Sequence, residues 1–183
     1  NTVYRMRAYQ YGPRPVRFFV WKNDKEHGLG DSPMPEGLIR LFRDNGKDGL
    51  AYLGQQQVLY SPIAADIEVN LGPDDLVVYE TRKMMTKRYT FHFNRRGNVD
   101  GWREVQVWND VIRNYRPAPI TVELRRRWRG DVLYDSEVAT TLFDYQTTET
   151  TLRVKARSKT VYPCVVEVRH GVHRKQNRVE LKQ

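Results

Sequence analysis

The sequence predicts an all-β protein built as an antiparallel β-sandwich, and three observations predict it. Polar and apolar residues alternate along most segments, the period of two that sends successive side chains to opposite faces of a sheet. Clusters of Gly, Pro, Asn and Asp interrupt these runs about every eight to twelve residues, the rhythm of a sandwich or barrel. No window carries an apolar face at three-and-four spacing behind a capping residue; residues 108–115 come nearest, and Pro117 stops them early.

In chain order, residues 3–11 alternate, with Val3, Arg5, Arg7 and Tyr9 on one side and Tyr4, Met6 and Ala8 on the other. Residues 16–21 form a compact β-branched and aromatic run that reads as a buried strand, with Trp21 in the core. Gly28, Gly30, Pro33 and Pro35 exclude regular pairing before a strand over 37–42, and Asp44, Asn45, Gly46 and Gly49 turn the chain into a strand over 50–59. Residues 67–71 and 76–85 are strands on either side of the turn at Gly72, Pro73, Asp74 and Asp75. Residues 87–93 alternate; 105–108 lead into a connection over 109–119; strands then follow at 120–128, 132–134, 140–145, 150–156 and 161–168. The length and strand count of the second half suit an immunoglobulin-like sandwich, which divides the chain into a β-rich lobe over 1–86 and that sandwich over 87–183. A strand continuous from Leu76 to Phe93 is the alternative, and it welds the halves into lobes of one domain.

Among the turn-forming residues, Val20, Trp21, Lys22 and Asn23 are followed by Gly28, Leu29, Gly30, Pro33, Met34, Pro35, Gly37, Leu38, Ile39, Arg40, Leu41 and Phe42. Asp44, Asn45, Gly49, Leu53, Gly54, Ser61, Pro62, Leu71 and Gly72 continue the pattern, and Val107, Trp108, Asn109, Pro119, Ile120, Thr121, Val122 and Glu123 complete it. Together they resemble an uncharacterised bacterial family that forms the C-terminal domain of mucoidy-inhibitor-A-like proteins. The resemblance implies a β-rich module of a larger bacterial protein, associated with the envelope or periplasm, with another protein or a segment of the same full-length chain as its partner. It implies no reaction, because its motifs are turn residues that shape the backbone. This chain is more basic than the family and carries no coiled-coil segment.

Of the 183 residues, 31 are Lys or Arg and 22 are Asp or Glu, a net charge of +9. The surplus is uneven: residues 91–183 hold 18 basic against 11 acidic residues, whereas residues 1–90 hold 13 against 11. The densest stretch is Arg125, Arg126, Arg127, Trp128 and Arg129. On a strand, Arg125, Arg127 and Arg129 share one face while Arg126 and Trp128 share the other. Guanidinium groups spaced in this way suit phosphate, sulfate or acidic sugar, and equally suit a solvated edge strand whose charge discourages aggregation. Trp102 and Trp128 alternate with charges, which places them at the surface as candidate stacking platforms. The candidate ligand-binding residues are therefore Arg125, Arg127, Trp128, Arg129 and Trp102.

No catalytic constellation is legible. Cys164 lies between Pro163 and Val165 in an apolar strand, the setting of an inert thiol, and as the one cysteine it forms no intramolecular disulfide. Ser136 and Ser158 lack a nucleophile elbow, and no Lys-Ser or Lys-Thr pair follows Gly28 and Gly30 as a phosphate loop requires. His170 and His173 sit among Arg169, Arg174 and Lys175, which repel a cation, so no metal or cofactor is expected. Asp66, Glu68, Asp74, Asp75 and Glu80 are close in sequence, the basis of a hydrolase hypothesis, and the threonines of 140–151 read as ordinary strand residues. Mean hydropathy is −0.72 and no apolar run approaches the roughly 20 residues of a spanning helix. The leading expectation is a noncatalytic interaction module. The alternative is a polyanion binder, for acidic polysaccharide ahead of nucleic acid, acting through the basic aromatic patch.

Overall fold

The computed structural model describes residues 1–29 and 31–182, so Gly30 of the resemblance motif lies outside the described residues. The protein is all-β with packed antiparallel sheets. Its chain divides into two compact units: one of Asn1–Tyr4 and Val16–Asp74, the other of Arg5–Pro15 with the chain from Asp75 onward. The partition falls between Asp74 and Asp75, whereas the boundary expected after residue 86 falls inside an unbroken strand over Val77–Phe93.

In the first unit, β1 (Thr2–Met6) contributes its opening residues, and β2 (Val16–Lys22) is followed by β3 (Gly37–Asp44), β4 (Leu50–Val58) and β5 (Asp66–Pro73). β2 pairs antiparallel with β5, and β3 with β4. Tyr4, Phe18, Ile67 and Val69 are buried, while Trp21 is half-buried with its ring edge against Phe19 instead of lying in the core. Asn23 explains the turn motif that follows it. Its buried side-chain amide donates to the carbonyls of Ser32, Ser61 and Pro62 at 3.2, 3.3 and 3.2 Å, tying together the two segments that flank β3 and β4, which also meet in a single bridge between Met34 and Ser61.

In the second unit, the alternation expected to continue to residue 11 stops at Met6. The chain forms a single helical turn, α1 (Ala8–Tyr11), closed by the amide of Gly12 at positive φ, and Pro13 and Pro15 follow. β6 (Val77–Phe93) and β7 (Val99–Asn114) make a long antiparallel ribbon. Then come β8 (Ile120–Arg127), β9 (Asp131–Ser136), β10 (Thr140–Asp144), β11 (Thr147–Val154), β12 (Ser158–Gly171) and β13 (Val179–Leu181). One sheet has the order β13-β9-β12-β7-β6, with β13 parallel to β9; in the other, β11 lies between β10 and β8. Val122 and Leu124 of β8 and Leu152 and Val154 of β11 are buried on one side, and Ile112, Tyr134, Cys164 and Val166 on the other. This is the core of the sandwich.

β7 runs six residues past the expected end at Trp108. Asn109 and Asp110 are poor strand formers, but Asp110 is buried and accepts from Tyr79 (2.7 Å) and Arg126, so its partners outweigh its propensity. The buried Asn114 closes the strand, its amide donating to the carbonyls of Ala118 and Lys155, both at 2.9 Å.

Candidate functional site

Along β8 the predicted alternation holds, and it decides the fate of every residue in the basic stretch. Val122, Leu124, Arg126 and Trp128 form the inward set, and Glu123, Arg125, Arg127 and Arg129 the outward set. Trp128 is only 8% exposed, packed with Tyr134, Val166, Val168 and Val179, and its indole N–H donates to Thr148 Oγ1 at 3.1 Å. It is a core residue and not a surface platform, because the inward face of this strand meets the other sheet. Arg126 lies beside it, its guanidinium 4.3 Å from the Trp128 ring centroid and 4.9 Å from that of Trp108, with Nη1 donating to both carboxylate oxygens of Asp110 at 3.0 Å. Burial, then Asp110, push the Tyr79 phenol well above its ordinary range, so Tyr79 is a neutral donor in this cluster.

The outward arginines differ among themselves. Arg125 pairs with Glu149, its cross-strand neighbour, and lies over the Phe143 ring at 3.4 Å, so it is committed within the sheet. Arg127 and Arg129 are exposed; Arg127 donates to Gln146 Oε1 at 3.1 Å and, against the upward push of burial, helps hold the nearby Asp144 carboxyl below its ordinary pKa. No ion pair within 4 Å engages either arginine among the described residues.

These two side chains meet the end of β12 across a cleft of about 520 Å³, lined also by Gln146, Val168, Arg169, His170, Arg174 and Asn177, with Gly130 and Gly171 at its margins. Four guanidinium groups surround it, and no carboxylate is in the lining. Arg169 is partly neutralised by the buried Asp131 (3.4 Å) and by Glu167 (3.7 Å). Asp131 also accepts the Lys175 amide at 2.9 Å, which fixes the 172–175 segment and with it Arg174. Gly171 is required where it stands: its φ is positive, and a Cβ there would run into the Asp100 carbonyl.

Trp102 stands behind this cleft. It pairs in register with His170, and the two rings stack 4.7 Å apart at 14°. Arg88 lies 5.3 Å from the Trp102 ring centroid, so this half-buried indole is engaged by protein groups. The structure therefore unites Arg127 and Arg129 with Arg169 and Arg174, assigns Trp102 a supporting role through His170, and separates Arg125 and Trp128 from the group. Arg169 and Arg174 escape sequence reasoning because β12 and β8 belong to different sheets. The available signal is that both basic runs terminate alternating strands.

The remaining candidates have structural partners. His173 Nε2 lies 2.9 Å from the Thr90 carbonyl and His92 Nδ1 2.5 Å from Asp100 Oδ1, and among the described residues no three of His, Cys, Asp and Glu are grouped as a metal site. Cys164 is buried; desolvation first, aided by Asp110, raises its thiol pKa and suppresses the reactive thiolate. Thr147, Thr148 and Thr150 are buried within the sheet. Asp75 pairs with Arg14, and Glu80 with Arg82 and Arg113. Asp66 and Glu68 share the exposed face of β5 beside a cleft of about 340 Å³ with Gln56 and Tyr60, whereas glycosidase carboxylates flank the bond from two sides. No helix of the described residues is long and apolar enough to cross a membrane. Comparison with protein-family models, with curated proteins and with solved structures finds no match for this chain.

Proposed function

We propose that this chain is a noncatalytic β-sandwich interaction module whose second unit binds an anionic group in the cleft between the ends of β8 and β12. The observation that carries this reading is the convergence of Arg127, Arg129, Arg169 and Arg174 on one cleft with no carboxylate in its lining. Planar guanidinium groups grip carboxylate, sulfate or phosphate oxygens in pairs, and a small concave site limits the ligand to one such group at a time. An acidic polysaccharide supplies these groups. Single-stranded nucleic acid fits less well, because its binders rely on aromatic platforms, and here Trp128 is buried and Trp102 is stacked by His170.

The two-sheet arrangement of the second unit supports the immunoglobulin-like reading of that half. The resemblance to the C-terminal domains of mucoidy-inhibitor-A-like proteins, with its envelope setting and a protein partner, belongs to the same proposal. Its support is that Asn23, Gly28 and Gly72 do shape the backbone at the motif positions.

The test is titration of the protein with an oligogalacturonate at two salt concentrations. Binding that weakens as salt rises, and by about tenfold or more in Arg127→Ala/Arg129→Ala, supports the reading. Equal affinity in wild type and variant overturns it.

A further inference from the structure

The geometry points to a second binding site, at the opposite end of β12, that takes an acidic sugar: a pyranose ring carrying a carboxylate or sulfate. This site goes beyond the reading above and shares no residue with it. Its cleft of about 430 Å³ is lined by Arg113, Asn114, Tyr115, Arg157, Ser158 and Lys159, a size within the roughly 300–1,000 Å³ of small-ligand sites. Lys159 and Arg169 are ten residues apart on one strand, so roughly 33 Å of β12 separates the two clefts.

Three features distinguish this end from an ordinary turn. Tyr115 is 55% exposed, an aromatic face left open beside cationic groups, which is the arrangement missing from the first cleft. Arg157 and Lys159 are exposed and have no carboxylate partner among the described residues, while Arg113 lies 3.9 Å from Glu80. Arg157 also occupies the left-handed region, with φ of 47°, in a turn where glycine would sit without strain. The side chain that this strained position carries is a cation lining the cleft.

The platform is rigid before any ligand arrives. Asn114 ties the chain on both sides through Ala118 and Lys155, and its Oδ1 accepts the Arg116 amide at 3.0 Å. The Tyr115 amide donates to the Leu76 carbonyl at 2.9 Å and the Arg157 amide to the Arg116 carbonyl at 3.0 Å. The backbone therefore needs little further ordering, and what binding must still order is the exposed side chains of Arg157 and Lys159. The chemistry follows from the count of groups. One aromatic face covers the C–H face of one sugar ring, and the flanking cations take its anionic substituent; a nucleic-acid strand needs successive platforms for successive bases.

The experiment uses the full chain carrying Arg127→Ala/Arg129→Ala/Arg174→Ala, so that one arginine of the first cleft is left, titrated with a heparin-derived hexasaccharide, maltohexaose and a single-stranded oligothymidylate. The hexasaccharide should still bind, and maltohexaose at least tenfold more weakly. Adding Tyr115→Ala or Arg157→Gly should weaken the hexasaccharide at least fivefold. Arg157→Gly relieves backbone strain and should melt no lower than its parent, which separates lost binding from lost folding. Hexasaccharide affinity unchanged by both substitutions, absence of binding in the triply substituted background, or oligothymidylate binding more tightly than the hexasaccharide would each overturn the proposal.

Discussion

The inward and outward sides of the β8 stretch carry nearly the same chemistry and do opposite work. Arg126 and Trp128 point into the sandwich, where the guanidinium sits between two indoles and against Asp110. Arg127 and Arg129, one residue away from them, point out into a cleft with no carboxylate lining. A buried cation must be matched, because desolvation costs several kcal/mol unless a counter-charge and hydrogen bonds offset it. An exposed cation need not be matched, and those left unmatched remain available to a ligand. Charge density along a sequence therefore says little about function until the side of the strand is known.

The sharpest way to break this comparison is to remove one inward charge. Asp110→Ala leaves Arg126 buried without its counter-ion and Tyr79 without its acceptor, and should cost about 3–5 kcal/mol in denaturant unfolding. Replacing Arg126 and Asp110 together by Met and Leu, with Tyr79→Phe to remove the hydroxyl that donates to Asp110, should recover most of that loss, since an apolar cluster needs no matching. The outward side should behave differently. Arg127→Ala/Arg129→Ala should stay within about 0.5 kcal/mol of wild type in the same measurement, while anion binding falls. A large stability loss there would mean that these arginines are structural after all.

A smaller effect comes from Glu104, on the inward face of β7. Burial raises its carboxyl pKa, but the Gln106 amide (2.6 Å) and the Arg88 guanidinium (3.0 Å) outweigh that and hold it below the ordinary value of 4.5. A depressed folded pKa contributes stability above the unfolded value and loses it as pH falls through the folded one. Melting temperature should therefore drop on acidification below about pH 4.5, and Arg88→Ala should shallow that drop.

Much of the fold is legible in the residues. The period of two marks the strands, and Asn45 and Gly46 mark a turn that the chain makes, whereas Gly72 and Pro73, expected to open a turn, still belong to β5, with Gly72 at positive φ. Alternation does not mark β13 or settle the continuity of β6, and two further elements defeat it for stated reasons. Residues 7–11 alternate like a strand, yet no pairing fixes them and Gly12 closes a helical turn instead. Residues 109–114 look like a connection, yet Asp110 and Asn114 find buried partners that keep β7 extended. The candidate site was half legible: Arg127 and Arg129 stand out by density, whereas Tyr115 and Arg157 form a cleft from segments about forty residues apart and carry no local mark.

By itself the sequence determined the all-β class, the inert setting of Cys164 and the division of the Arg125–Arg129 stretch into two faces, because each follows from local alternation and neighbours. Only the tertiary structure decided which face is buried, that Glu149 takes Arg125 out of the patch, and that β12 brings Arg169 and Arg174 to Arg127 and Arg129. Alternation specifies that two faces differ. Which of them meets another sheet is set by pairing and packing between residues distant in the chain.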